Sequence, residues 1–279
     1  MLKKYRIEII VFYVLAAVAL IFAAFYDLKI DIRLNDPDNI FANWFYRTGE
    51  MPARLLCPIA GALIVFCADK VWQKIIGGAI CIGGSAYFGY YFGKYFFNDT
   101  YKMPYSIIFG VGFGLVLLFA CSFVHIPDKY KLTLLLASVI GLAVLALQLS
   151  TVEVMKNLWG RVRYRDLLND VTLDRFTPFY VINGKNGNKS FPSGHTASAG
   201  MIYLSMLLPM INEKLKKYKS LFFTVSIVYT SVVAFTRLVM GAHYLSDVTV
   251  GGIIAFTYVV IGIKVYEKMT EKNGFAINN

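Results

Sequence analysis

Charged side chains are scarce in this chain. Asp, Glu, Lys and Arg make up 16% of its 279 residues, and hydrophobic residues make up 57%. Soluble globular domains carry about 25% charge, so a water-soluble domain of ordinary surface is excluded. Cysteine is also rare. Cys57, Cys67, Cys81 and Cys121 fall inside apolar runs with no metal-ligand spacing. That excludes a disulfide framework or a structural zinc site and leaves four buried free thiols as the expectation. No internal repeat is present, which removes a solenoid. Histidine is the scarcest ionisable residue, with three copies.

What the chain has is long apolar runs. A spanning helix needs about 20 mostly apolar residues. Eight stretches qualify: 8–26, 52–68, 75–93, 105–124, 132–155, 193–211, 220–236 and 246–265. An all-α integral membrane protein with a bundle of about eight transmembrane helices is expected. The first run follows Lys3, Lys4 and Arg6. It is longer than a signal-peptide core and reads as an uncleaved anchor.

Lysines set the orientation. Beyond the N-terminal group they lie at Lys70 and Lys74, at Lys129 and Lys131, at Lys214, Lys216, Lys217 and Lys219, and at Lys264, Lys268 and Lys272. With eight spans, all of these fall on the side of the N-terminus. The positive-inside rule makes that side cytoplasmic. Both termini are then cytoplasmic in a multi-pass protein of a cell membrane, bacterial in flavour. The net charge of +11 is topology charge with anionic-lipid contact, and no nucleic-acid partner is expected.

Two outer connections are long. Residues 27–51 hold Asp27, Asp31, Asp36 and Asp38, then Trp44, Phe45 and Tyr46. They read as an outer interfacial loop, its aspartates solvated and its aromatic cluster suited to a helix lying at the headgroup level. Residues 156–192 are rich in Asn, Gly, Lys and Arg, and connections of that length are commonly functional. Three organisational parts follow: N-terminal segments over 1–131, a core over 132–265, and a cytoplasmic tail over 266–279. The pairs Gly89/Gly93 and Gly110/Gly114 allow close helix packing, within one chain or in a possible homodimer.

Three pieces carry chemistry, and the lysine topology places all three on the outer side. Lys156 and Arg163 lie seven apart, roughly 700° on an ideal helix, so one face can present both. Arg161 and Arg165 would point elsewhere. Phe191-Pro192-Ser193-Gly194-His195 precedes span six. Pro suits a helix start, the N–H groups there attract anions, and Gly194 admits close approach. Ser193 adds a donor, and His195 can give a proton to a leaving oxygen. Thr236-Arg237 is followed by His243 and Asp247. The last two share a helix face, and Gly241 supplies the break that brings Arg237 and His243 together. His125 lies at a cytoplasmic span end with no partner in the pattern.

These pieces resemble the type 2 phosphatidic acid phosphatase (PAP2) superfamily. Its pattern is Lys, six residues, Arg-Pro; then Pro-Ser-Gly-His; then Ser-Arg, five residues, His, three residues, Asp. Order and spacing hold over roughly 132–265. Tyr164 stands in the place of the Pro, and Thr236 in that of the Ser. The resemblance implies a PAP2-like catalytic core in the C-terminal half. It implies His243 as nucleophile through a phosphohistidine, Asp247 orienting it, and His195 as general acid. Lys156, Arg163, Ser193, Gly194 and Arg237 would hold phosphoryl oxygens. No cofactor and no metal are implied.

The implied activity is hydrolysis of a lipid phosphate or diphosphate at the outer face: an isoprenoid diphosphate, phosphatidylglycerol phosphate or phosphatidic acid. Its partners would be that substrate and membrane lipids. A phosphotransferase of the same superfamily, with a non-water acceptor, is the nearest alternative. A transporter or scaffold would instead keep ionisable groups deep within spans. Soluble haloperoxidases share the motifs but not the apolar composition.

Overall fold

The computed structural model describes residues 5–97, 103–168 and 173–272. Lys3 and Lys4, which entered the charge pattern above, and the end of the expected tail after Lys272 lie outside them. Among the described residues all regular structure is helical and there is no strand. The main elements are α1 (Arg6–Leu34), α2 (Ile40–Thr48), α3 (Met51–Cys67), α4 (Val71–Phe96), α5 (Met103–Ser122) and α6 (Asp128–Trp159). After a short α7 (Tyr164–Leu167) come α8 (Gly194–Ala199), α9 (Leu208–Ile211), α10 (Lys219–Val239) and α11 (Leu245–Lys272).

Seven helical stretches are long and apolar enough to cross a membrane by length and composition. The run at 193–211 is not an eighth of that kind. It is α8, a 3-10 helix over Gly200–Leu207 and α9 in series. Pro209 sits in the first turn of α9, where its missing N–H cannot extend the preceding turns.

The stretch 27–51 is largely helical rather than a loop, and α2 covers the aromatic cluster that suited a helix. Helix α1 continues to Leu34, and α2 follows after five residues. The buried residues of α1 are Phe12, Ala16, Ala23, Asp27 and Asp31. Steps of four and seven keep one face of a helix in line. The seam that packs α1 therefore also carries its two carboxylates inward, to 3% and 0% exposure.

Contacts divide the chain into two compact units. One comprises Met1–Glu50, Ala146–Ser205 and Ser220–Val260; the other comprises Met51–Leu145, Met206–Lys219 and Ile261–Asn279. The cuts fall between α2 and α3 and inside α6, the 3-10 helix, α10 and α11, and residues 1–50 belong with the unit that holds the sequence motifs.

In the second unit, α3, α4 and α5 meet through small residues. A Cβ on Gly89 would lie 2.2 Å from the Ser106 carbonyl oxygen, and one on Gly110 would lie 2.2 Å from that of Ser85. The glycine pairs thus pack α4 on α5 within the chain. All four cysteines are free. Overpacking a tight contact costs about 1–3 kcal/mol. Gly89→Val and Gly110→Val are expected to lower the melting temperature in detergent by several degrees. Gly112→Ala, which meets open space, is expected to leave it unchanged.

Candidate active site

The site begins where α6 ends. Gly160 takes a left-handed φ of 52°, which stops the helix after Trp159. Arg163 is then extended, with φ −78° and ψ 152°, as the residue before α7. Lys156 and Arg163 therefore do not share a helical face as their spacing suggested. The turn at Gly160 separates them, and Tyr164, buried in the place of the family's Pro, is not what sets Arg163's backbone. The 183–190 segment folds back on this corner. Gly184 N–H donates to the Leu158 carbonyl at 3.0 Å and Ser190 N–H to that of Arg161 at 2.9 Å.

Arg161, expected to point away, is the most connected side chain of the region and is fully buried. Its Nε donates to the Thr177 carbonyl at 2.8 Å. One terminal nitrogen donates to Asp247 Oδ1 at 2.6 Å and to Ser246 Oγ at 2.8 Å. The other donates to Asp27 Oδ2 at 2.9 Å. The Tyr244 ring lies 4.1 Å from the guanidinium carbon. Asp27 in turn accepts from the Ser246 N–H at 3.0 Å and from the Ser246 hydroxyl. A buried cation is tolerated only when paired and hydrogen-bonded, and this one is both.

His243 lies between α10 and α11, in the turn that Gly241 opens with a φ of 57°. Its Nδ1 is 2.7 Å from the Ser190 carbonyl oxygen. A carbonyl only accepts, so Nδ1 carries the proton and Nε2 keeps its lone pair. Asp247 also faces Nδ1, its Oδ2 3.7 Å away, and favours the protonated ring. The same oxygen accepts from Ser190 Oγ at 2.5 Å and from Tyr244 N–H at 3.0 Å. Asp247 thus holds Ser190, and the carbonyl of Ser190 holds the ring. Burial pushes the His243 imidazole down to about 3, against the pull of Asp247, with Arg237 and Lys156 adding to the downward push.

Ser193 caps α8, accepting from Thr196 N–H at 3.4 Å and from the Thr196 hydroxyl at 3.0 Å. Its own N–H donates to the Asp247 carbonyl at 2.9 Å, which ties the two motifs. A Cβ on Gly194 would lie 3.1 Å from Lys156 Nζ, so glycine is what lets that ammonium sit against the backbone. His195 Nδ1 is 3.3 Å from Glu50 Oε1. The Tyr46 ring stacks on the His195 ring at 5.6 Å and 22°. The Arg237 guanidinium lies 5.1 Å from the Tyr46 ring centre and donates to Met240 Sδ at 3.4 Å. Arg163 is within electrostatic reach of Asp247 and Tyr46, and its Nε is a buried donor with no acceptor among the described residues.

All eight residues singled out in the sequence, Lys156, Arg163, Ser193, Gly194, His195, Arg237, His243 and Asp247, fall in one unit. Four further residues escaped sequence reading: Asp27, Tyr46, Glu50 and Arg161. The signal for Asp27 was its place at the end of an apolar run, where acidic residues flag function. Nothing in the sequence marked Glu50. Thr236 keeps its hydroxyl on the Val233 carbonyl at 2.7 Å, and His125 is exposed.

A family model described as the PAP2 superfamily matches residues 131–271. No curated protein and no solved structure matches the chain.

Two outcomes follow from this geometry. Removing one partner of a buried ion network costs about 3–5 kcal/mol. Arg161→Met is therefore expected to lower stability by that amount in denaturant titration, since Asp27 and Asp247 would face each other across the gap. For His243, the folded value of about 3 lies below the ordinary 6.5. The unfolded chain thus takes up this proton first as pH falls, and stability present above about 6.5 is lost toward 3. From pH 7 to pH 5 the His243 contribution to that loss is about 2 kcal/mol. His243→Asn should lose less stability than the parent over that interval; an equal loss contradicts the buried neutral ring.

Proposed function

Because the chain belongs to the PAP2 superfamily, whose members act as phosphatases or phosphotransferases on phosphorylated substrates, we propose that it hydrolyses a lipid phosphate or diphosphate through a phosphohistidine. The observation that carries this reading is the state of His243. Its Nδ1–H is spent on Ser190, its ring is neutral, and Lys156 and Arg237 act on it electrostatically. A neutral imidazole with a free Nε2 beside cations is what attack on an anionic phosphorus requires.

The steps balance simply. Nε2 of His243 attacks phosphorus, the bond to the leaving oxygen breaks, and His195 gives that oxygen its proton. The phosphorylated ring is cationic, and Asp247, at 3.7 Å from Nδ1, stabilises it. Water then attacks phosphorus, His195 takes a proton from it, and inorganic phosphate leaves. Lys156, Arg163 and Arg237 hold the phosphoryl oxygens. The buried, unpartnered Nε of Arg163 is a donor suited to one of them.

A lipid is favoured over a soluble phosphate for two reasons. The helices fit a multi-pass membrane protein. An apolar cavity of about 340 Å³ has Thr196, Leu238, Leu245 and Val248 in its lining, next to His195, Arg237 and Asp247 in the chain. With the broken helical series at 193–211 counted as a crossing, the lysine pattern supports cytoplasmic termini in a cell membrane and a site that faces outside.

The test is phosphate release from a panel of lipid phosphates and diphosphates by purified protein in detergent. His243→Ala and His195→Ala are each expected to reduce release by at least about a thousandfold. Wild-type turnover by either sinks the assignment. Labelled acceptor in place of free phosphate would make the protein a phosphotransferase.

A further inference from the structure

We propose that Glu50 is a positioning residue for His195: its carboxylate holds the ring in place and keeps it protonated for acid catalysis, with Tyr46 as the second wall of that seat. The proposal rests on the reading of His195 as the general acid and adds two residues that lie outside the matched 131–271 region.

The geometry is as follows. Glu50 occupies the turn between α2 and α3 and is 13% exposed at its side chain; His195 is 17% exposed, and their nearest atoms are 3.3 Å apart. An opposite charge at that distance favours the protonated imidazole. The contact is to Nδ1, so Nε2 is the nitrogen directed to the leaving oxygen. Other groups around the ring act in the opposite sense. Arg237 of α10 lies behind Tyr46, and Lys156 of α6 lies beside Gly194. These cations, useful for holding phosphate, disfavour a third positive charge on His195. Glu50 offsets them. The Tyr46 ring stacks on His195 and lies within cation–π reach of Arg237.

The two histidines are thus placed in opposite electrostatic settings. His243 is deeply buried against a carbonyl and neutral. His195 is partly solvated against a carboxylate. A nucleophile and an acid need that difference.

The chain has three histidines, so ring-labelled histidine gives three signals, readable by NMR on the full chain in detergent. The His195 signal is assigned by its loss in His195→Gln. Glu50→Gln is expected to lower the His195 titration midpoint by about one pH unit, with Glu50→Asp falling between. The alkaline limb of kcat for lipid-phosphate hydrolysis should move the same way, so that turnover above pH 8 drops about tenfold while KM changes little. A His195 midpoint identical in the parent and in folded Glu50→Gln overturns the proposal. If Glu50→Gln does not fold, Glu50→Asp decides, and an unmoved midpoint there overturns it equally. A Glu50-dependent midpoint without phosphate release from any lipid phosphate supports the pair and refutes the phosphatase reading instead.

Discussion

The site depends on one buried cation. Arg161 has no exposure to solvent and survives there because its donors meet a carbonyl, a hydroxyl and two carboxylates. Those partners come from three parts of the chain. Thr177 lies in the long connection, Ser246 and Asp247 start α11, and Asp27 belongs to the buried seam of α1. A guanidinium that must be satisfied in place fixes the positions of everything that satisfies it. Asp247, so fixed, fixes Ser190, and the Ser190 carbonyl fixes the tautomer of His243.

This chain of dependence changes the part played by the residues before the matched family region. Asp27 reaches Arg161 from α1, and Tyr46 and Glu50 reach His195 from α2 and the turn after it. Residues 1–50 share a compact unit with the motifs and supply partners to Arg161 and to His195. The two histidines differ in environment, since burial dominates at His243 while a carboxylate meets His195. The same cations that would cradle phosphate, Lys156 and Arg237, act on the His243 ring as well.

Much of the site was legible in the sequence because chemistry restricts residue type. His195, His243, Asp247 and Arg237 stood out against apolar surroundings that have no use for ionisable groups. Gly241 was legible as a break because the spacing of Arg237 and His243 does not fit one helix. Lys156 and Arg163 were found as residues but misread as geometry. Periodicity assumes that the helix continues, and Gly160 ends it after Trp159. Arg161 was set aside for the same reason. Glu50 and Tyr46 were invisible, because a carboxylate and an aromatic ring near a span end are ordinary until the fold brings them to a histidine.

The sequence by itself determined that this is an all-helical membrane chain with the motifs of the PAP2 superfamily. Apolar run length and the spacing of a few reactive residues are local properties that survive without coordinates. Only the tertiary structure decided which groups hold those residues. The Asp247 carboxylate is held by Arg161 and Ser190 beside the His243 ring, and Asp27 and Glu50 enter from far along the chain. Hydrogen bonds and ion pairs are settled by angstrom-scale distances between segments, and those distances are a property of packing that no single segment encodes.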